Sequence, residues 1–214
     1  LKSEEFIKDG VSYMQPKFAK DIVVKESEIE EVRAELNAQE KKKIEDLNKF
    51  ISAFPKSQYR DDALFELGNT YVAESKTDLA IQTYDKLLKE YKGGSYAAKA
   101  VLRQGLIYYN ADKSDQALAK FKIVAAEYPN SEEALEAVAT ARLIYVDTGR
   151  VSEYATWVGT LGFIQVTDAE LEKDTFDSAE KQYLQNNKKQ AIDGFVTYNA
   201  KFPDGTYALK SNFY

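Results

Sequence analysis

Residues of the same kind return every 37 positions along this chain: Phe54-Pro55, Tyr91-Lys92, Tyr128-Pro129 and, two periods further on, Phe202-Pro203. A fixed period between roughly 20 and 50 residues marks stacked supersecondary units, none of which can bury its apolar face alone. The 214 residues would suffice for one large or two small globules. The repeat points instead to one elongated array with a core running along its axis.

Within blocks beginning at Phe54, Tyr91, Tyr128 and Gln165, four columns stand out. One reads Gly68, Gly105, Arg142, Ala179, and small residues there let two helices approach closely. A second reads Tyr71, Tyr108, Tyr145, Gln182, a third Ala80, Ala117, Tyr154, Ala191, and a fourth Tyr84, Phe121, Val158, Phe195. Each block holds two apolar stripes at helical spacing, separated by a polar break such as Ser75-Lys76-Thr77 or Asn186-Asn187. This predicts helical hairpins over 57–74 with 78–91, 95–111 with 115–128, 131–147 with 151–164, and 168–185 with 188–201. Thr77-Asp78, Ser114-Asp115 and Ser152-Glu153 are expected to cap the second helices through their side-chain oxygens. The aromatic-Pro pairs end them, because Pro cannot continue a helix.

Bulky Arg142 and Tyr154 at two close-contact columns predict a widened or tilted third hairpin and a change of twist between 142 and 167, centred on Trp157, Gly159 and Gly162. Upstream, Ile44, Leu47, Phe50 and Ile51 lie one period before Ile81, Tyr84, Leu87 and Leu88. A diverged first repeat is expected there, with Asp21–Leu36 as its partner helix and Ile22, Ile29, Val32 and Leu36 on one stripe. Residues 1–20 are expected to be either a short helix plus a loop or the remnant of a preceding repeat, so that 1–37 is an N-terminal helical segment and 38–214 the array. At the far end Phe202–Ala208 opens a further repeat that stops at Tyr214 within a helix. With Leu rather than Met at position 1, this suggests a processed protein or a fragment.

Composition narrows the chemistry. The chain has neither Cys nor His, which removes thiolate metal sites, thiol nucleophiles and the commonest general base. A net charge of −6 with no basic cluster beyond Lys41-Lys42-Lys43 disfavours nucleic acid. No window reaches the roughly 18 apolar residues of a membrane span, and the first residues do not form a signal peptide. Adjacent acids such as Asp61-Asp62 and Glu132-Glu133 point apart on a helix, unlike glycosidase carboxylates. Neither a phosphate loop nor a nucleophile elbow is present. The expectation is a noncatalytic protein without cofactor or metal, although Glu136, Asp177 and Glu180 are the acids that would gather if Ca²⁺ bound.

Leu64, Leu67, Gly68, Tyr71, Ala80 and Tyr84, followed by Gly105, Tyr108, Ala117, Phe121 and Pro129, make the blocks resemble tetratricopeptide repeats over roughly residues 38–214. The resemblance implies an all-α fold, a right-handed superhelical array of antiparallel helix hairpins. Three residues beyond the usual repeat length fall at Pro55-Lys56-Ser57 and Pro129-Asn130-Ser131. This variant resembles repeat proteins of the bacterial envelope, of the barrel-assembly lipoprotein and Tol-Pal-associated types. It implies a periplasmic or outer-membrane-associated location, with possible membrane attachment through an N-terminal lipid anchor absent from this sequence.

The resemblance further implies that each first helix lines a concave groove for a peptide or partner protein. By register the groove positions are Phe65, Glu66, Asn69, Val72 and Ala73; Leu102, Arg103, Leu106, Tyr109 and Asn110; Ala139, Thr140, Leu143, Val146 and Asp147; and Phe176, Asp177, Glu180, Tyr183 and Leu184. Apolar anchors beside polar groups are what a peptide groove requires, but the same apolar residues could simply pack between hairpins. Arg103 is the only base at a column shared with Glu66 and Asp177. It would either clamp a partner carboxylate or pair with Glu66. The function expected is a noncatalytic interaction scaffold. Its rivals are a glycan-binding helical-repeat lipoprotein using Tyr109, Tyr183 or Trp157, and a purely structural spacer.

Overall fold

A computed structural model of the chain describes residues 3–8, 11–16 and 26–214, with side chains from residue 32 onward. It divides into two units, Leu1–Lys49 and Phe50–Tyr214. In the first, strands β1 (Ser3–Lys8) and β2 (Val11–Pro16) pair antiparallel, with Lys8 opposite Val11 and Ser3 opposite Pro16. A short helix was expected here, and the sequence explains the difference. Phe6-Ile7 and Val11-Ser12-Tyr13 carry β-branched and aromatic residues, and Asp9-Gly10 between them is a two-residue hairpin signal.

Helix α1 (Glu26–Ala53) is a single run of 28 residues where two helices were expected. Nothing between Leu36 and Ile44 breaks it: the stretch lacks Gly and Pro and is rich in Ala, Gln, Glu and Lys, all good helix formers. Val32 and Leu36 of the expected stripe are exposed, while Ile22 and the side chain of Ile29 lie outside the described residues.

The second unit is built from α2 (Arg60–Ala73), α3 (Thr77–Glu90), α4 (Ala97–Asn110), α5 (Ser114–Glu127), α6 (Glu132–Asp147), α7 (Val151–Val158), α8 (Asp168–Leu184), α9 (Lys188–Lys201) and α10 (Ala208–Phe213). Helices pair as α2 with α3, α4 with α5, α6 with α7 and α8 with α9, and each pair packs on the next. This is the all-α hairpin array that the period implies. A Cβ on Gly68 would run into the Tyr84 ring, and one on Gly105 would lie 2.5 Å from Phe121 Cε1. The small-residue column therefore sets the spacing within the first two hairpins.

All four hairpins turn the same corner. Ser75, Asp112, Gly149 and Asn186, one period apart, have φ of 57°, 56°, 76° and 62°. The next amide, on Lys76, Lys113, Arg150 or Asn187, bonds back to the carbonyl of Tyr71, Tyr108, Tyr145 or Gln182 at 2.7–2.9 Å. That is a Schellman end, which satisfies carbonyls the helix itself leaves open. It also displaces the caps expected at the second helices. Thr77 and Ser114 fall inside α3 and α5, and the residues at the cap positions, Lys76, Lys113 and Arg150, make no side-chain cap bond. Side-chain caps occur instead at first helices: Ser131 on α6, and Thr167 with Glu170 as a capping box on α8.

The third hairpin departs from the others in its second helix. Helix α7 stops at Val158, six residues before the expected end at Ile164. From there the chain continues without helix while Leu161, Phe163, Ile164 and Val166 pack against the core of α4 to α7. Arg142 does not wedge α6 from α7. It reaches α8, where Nε and Nη2 donate to Asp174 at 2.6 and 3.0 Å, with Glu170 3.6 Å away. Tyr154 joins Tyr145 and Trp157 in a ring cluster with centroids 6.0–6.4 Å apart.

Candidate interaction groove

The first helices α2, α4 and α6 bring part of the expected groove together. Phe65, Leu102 and Arg103 share a pocket of ≈ 290 Å³ with Lys99 and, on α6, Glu132, Glu133 and Glu136. Leu102 is 5% exposed and forms its floor rather than an anchor that a partner could grip. Arg103 is exposed and makes no hydrogen bond or ion pair with any described residue, so the pairing with Glu66 is not formed. Its charge still reaches the first hairpin. Burial pushes the Tyr84 hydroxyl up to about 12, and Arg103 draws it partly back while Glu66 opposes.

About two turns along the same helices, Tyr109, Asn110 and Asp147 line a second pocket of ≈ 380 Å³ with Asp112, Ser114 and Ile144. Arg103 and Asn110 are seven residues apart on α4, about 10 Å at 1.5 Å per residue. The two pockets thus lie along one α4–α6 seam, cationic at the Lys99–Arg103 end of α4 and acidic along α6. Leu106 between them is half-buried and packs on the core.

Of the remaining positions, Val72, Leu143 and Leu184 are exposed, while the polar and aromatic ones are engaged within the chain. Phe65 stacks on Tyr96 with centroids 4.8 Å apart. Asn69 Oδ1 accepts from the Tyr84 hydroxyl at 2.8 Å, and Thr140 donates to its own helix at Glu136. Glu66 is half-buried on α2 and its carbonyl accepts from Thr70. In the last two repeats Asp147 is bound by Lys181 and Asp177 by Lys173, while Glu180 accepts from Lys210 at 2.6 Å and from the Tyr214 hydroxyl at 2.8 Å. Tyr183 lies against Tyr214 at 4.6 Å. Helix α10 and the residue after it thus occupy that end of the groove. Trp157 has Tyr145, Tyr154 and the Lys122 ammonium against it, which leaves little ring face for a sugar. No group of three acids able to hold a metal occurs among the described residues.

One feature was invisible in the residue pattern. A polar pocket of ≈ 230 Å³ lies between the third and fourth hairpins, lined among others by Ser152, Ser178, Gln182, Asp193 and Thr197. Of its small residues, Ala179 falls in the column that reads as a close helix contact, whereas Gly149 stands at a hairpin corner and Gly194 packs directly on Ala179. Ser178 and Gln182 are already used, donating to the carbonyls of Val146 and Asp147.

The fold and groove define a class: helical-hairpin repeat proteins with a seam along their first helices. Residues 62–93 and 99–131, which fall on the α2–α3 and α4–α5 hairpins, match the tetratricopeptide repeat family model. Among solved structures, the chain is similar to a tetratricopeptide repeat protein from Parabacteroides merdae, at 14% identity and a TM-score of 0.47 over 78% of this chain and 62% of that one. The chain thus spans less than two thirds of that protein. It is similar also to the nearly identical TPR-like repeats of a kinesin light chain protein from Podosopora anserina, at 14% identity and a TM-score of 0.46 over 79% of this chain and 90% of that one. No curated protein matches the sequence.

Proposed function

We propose that this chain is a noncatalytic scaffold that holds a segment of a partner protein along the α4–α6 seam. The observation that carries this reading is Arg103, an exposed guanidinium with no hydrogen bond or ion pair to any described residue, beside an apolar floor. Guanidinium groups bind carboxylates bidentately, and such charge-assisted bonds are about twice as strong as neutral ones. Tetratricopeptide repeats generally mediate protein–protein contacts, which supports the same reading. The 37-residue period and its Pro-x-Ser junctions lead us to place the partner in a bacterial envelope assembly, and cell fractionation tests that part independently.

The groove is tested with a partner segment recovered from envelope extract and resynthesised as a peptide. Calorimetry should show Arg103→Ala weakening its binding about tenfold or more, as expected for loss of a charged hydrogen bond, with the thermal midpoint unchanged. Undiminished affinity of the variant would sink the assignment.

A further inference from the structure

The first helices of the four hairpins can be compared register by register, and α8 stands apart. Where α2, α4 and α6 carry buried Leu64, Val101 and Val138, α8 carries Thr175. One turn on, Ser178 falls in the column of Leu67, Gln104 and Ala141, and Gln182 in that of Tyr71, Tyr108 and Tyr145. Thr175, Ser178 and Gln182 are only 5–8% exposed. These exchanges surrender apolar packing and bury polar atoms that need partners. All three residues line the ≈ 230 Å³ pocket between the third and fourth hairpins.

What this pocket offers a ligand follows from where its protons go. A hydroxyl has one proton to give and two lone pairs. Thr148, Thr175 and Thr197 donate theirs to the carbonyls of Ile144, Leu171 and Asp193 at 2.6–2.7 Å, and Ser178 donates to Val146 at 2.7 Å. Only lone pairs are left on these four. Gln182 spends an amide proton on the Asp147 carbonyl, and its Oε1 accepts from Asn187. Asp193 brings the lining its formal charge, and among the described residues no Lys or Arg lines the pocket with it. Lys189 lies 2.8 Å from the Asp193 carboxylate, but both side chains are exposed and the pair is an i,i+4 contact on one helix, which holds the carboxylate only weakly. Ser152 and Gln190, both exposed, can donate or accept.

Acceptors gathered around one carboxylate select a donor-rich cation. We propose that this pocket binds a small organic cation, an aliphatic ammonium or guanidinium compound, whose N–H groups bond to the hydroxyl oxygens and whose charge is met by Asp193. A neutral polyol brings lone pairs that need donors, and few are left here. The pocket is separate from the α4–α6 seam. Its walls come from the α6–α7 corner, α8 and α9, so an occupant braces the third hairpin against the fourth where α7 is short.

The full chain, isotope-labelled, is titrated with putrescine, with agmatine and with butanediol as the uncharged match in length, and followed by backbone amide NMR. With either amine the amides of Gly149, Ser178 and Gly194 should shift saturably, while butanediol leaves them unmoved. Asp193→Asn and Thr197→Val, both at exposed positions, should keep the far-ultraviolet circular dichroism and weaken amine binding, the first about tenfold as for loss of a charged hydrogen bond. Absence of saturable shifts, equal shifts with butanediol, shifts spread over the acidic surface instead of the pocket, or full affinity in Asp193→Asn each overturn the proposal.

Discussion

Arg142 shows how one side chain can break a repeat pattern without breaking the fold. It occupies the column that holds Gly68 and Gly105, where a simple reading makes any large residue a steric fault. Its guanidinium instead leaves the hairpin and grips Asp174, whose carboxylate is only 8% exposed. That carboxylate in turn holds the Arg142 pKa above its ordinary value. The two readings predict opposite signs for Arg142→Ala. If the column alone mattered, the smaller residue would stabilise. The ion pair predicts a loss of roughly 3 kcal/mol in urea unfolding, at the low end for a buried charge stripped of its partner because Arg142 is itself 30% exposed. The departure from pattern was legible in the sequence, but its resolution was not. Asp174 lies 32 residues away, out of register with the repeat, and no periodic argument selects it. Arg103 was legible for the converse reason: it is the odd base in its column, and no described residue bonds its guanidinium.

Among the elements, the paired helices could be read because the small, tyrosine and aromatic columns recur at fixed offsets. Boundaries failed where local chemistry replaced the column. Asp9-Gly10 favours a strand pair, the Ala, Gln, Glu and Lys stretch carries α1 through an expected turn, and the Schellman ends remove the need for Thr77 and Ser114 as caps. Helix α10 has a testable weakness of its own. It is tied down through Glu180, which accepts from Lys210 and Tyr214, and the turn before it through the Tyr207 amide, which donates to the Tyr198 hydroxyl at 2.9 Å while that hydroxyl donates to Glu172 at 2.7 Å. The Lys210 bond chiefly holds Glu180 below the ordinary carboxylate pKa of 4.5, and the Tyr198 bond does the same for Glu172. A lowered folded-state value means that this stabilisation is complete above the unfolded pKa and is lost as pH falls through the folded one. Acidification from pH about 5 to about 3 should therefore release α10 ahead of global unfolding. Loss of the Tyr214 contacts to Tyr183 and Phe195, followed by aromatic NMR shifts, reports it. Shifts unchanged until the whole chain unfolds would contradict this.

At the scale of the array, stability is partitioned. One core joins α4 through α7 around Phe121, Ile144 and Tyr145, and a second is confined to α8 through α10 around Phe176, Phe195 and Tyr198. Stacked repeats contact only their neighbours, so each core can open without the other. Amide hydrogen exchange should resolve two levels of protection, with α8 to α10 exchanging faster than α4 to α6. A single uniform level would mean that the truncated α7 still couples them fully.

The left-handed corner between paired helices is built in turn by serine, aspartate, glycine and asparagine, yet the backbone bonds that close it hardly vary. The bend is therefore imposed by the helices on either side and only lightly by whichever residue occupies it. Such a lineage is free to drift in sequence at its corners, and to gain or lose whole 37-residue modules, without relearning how to turn.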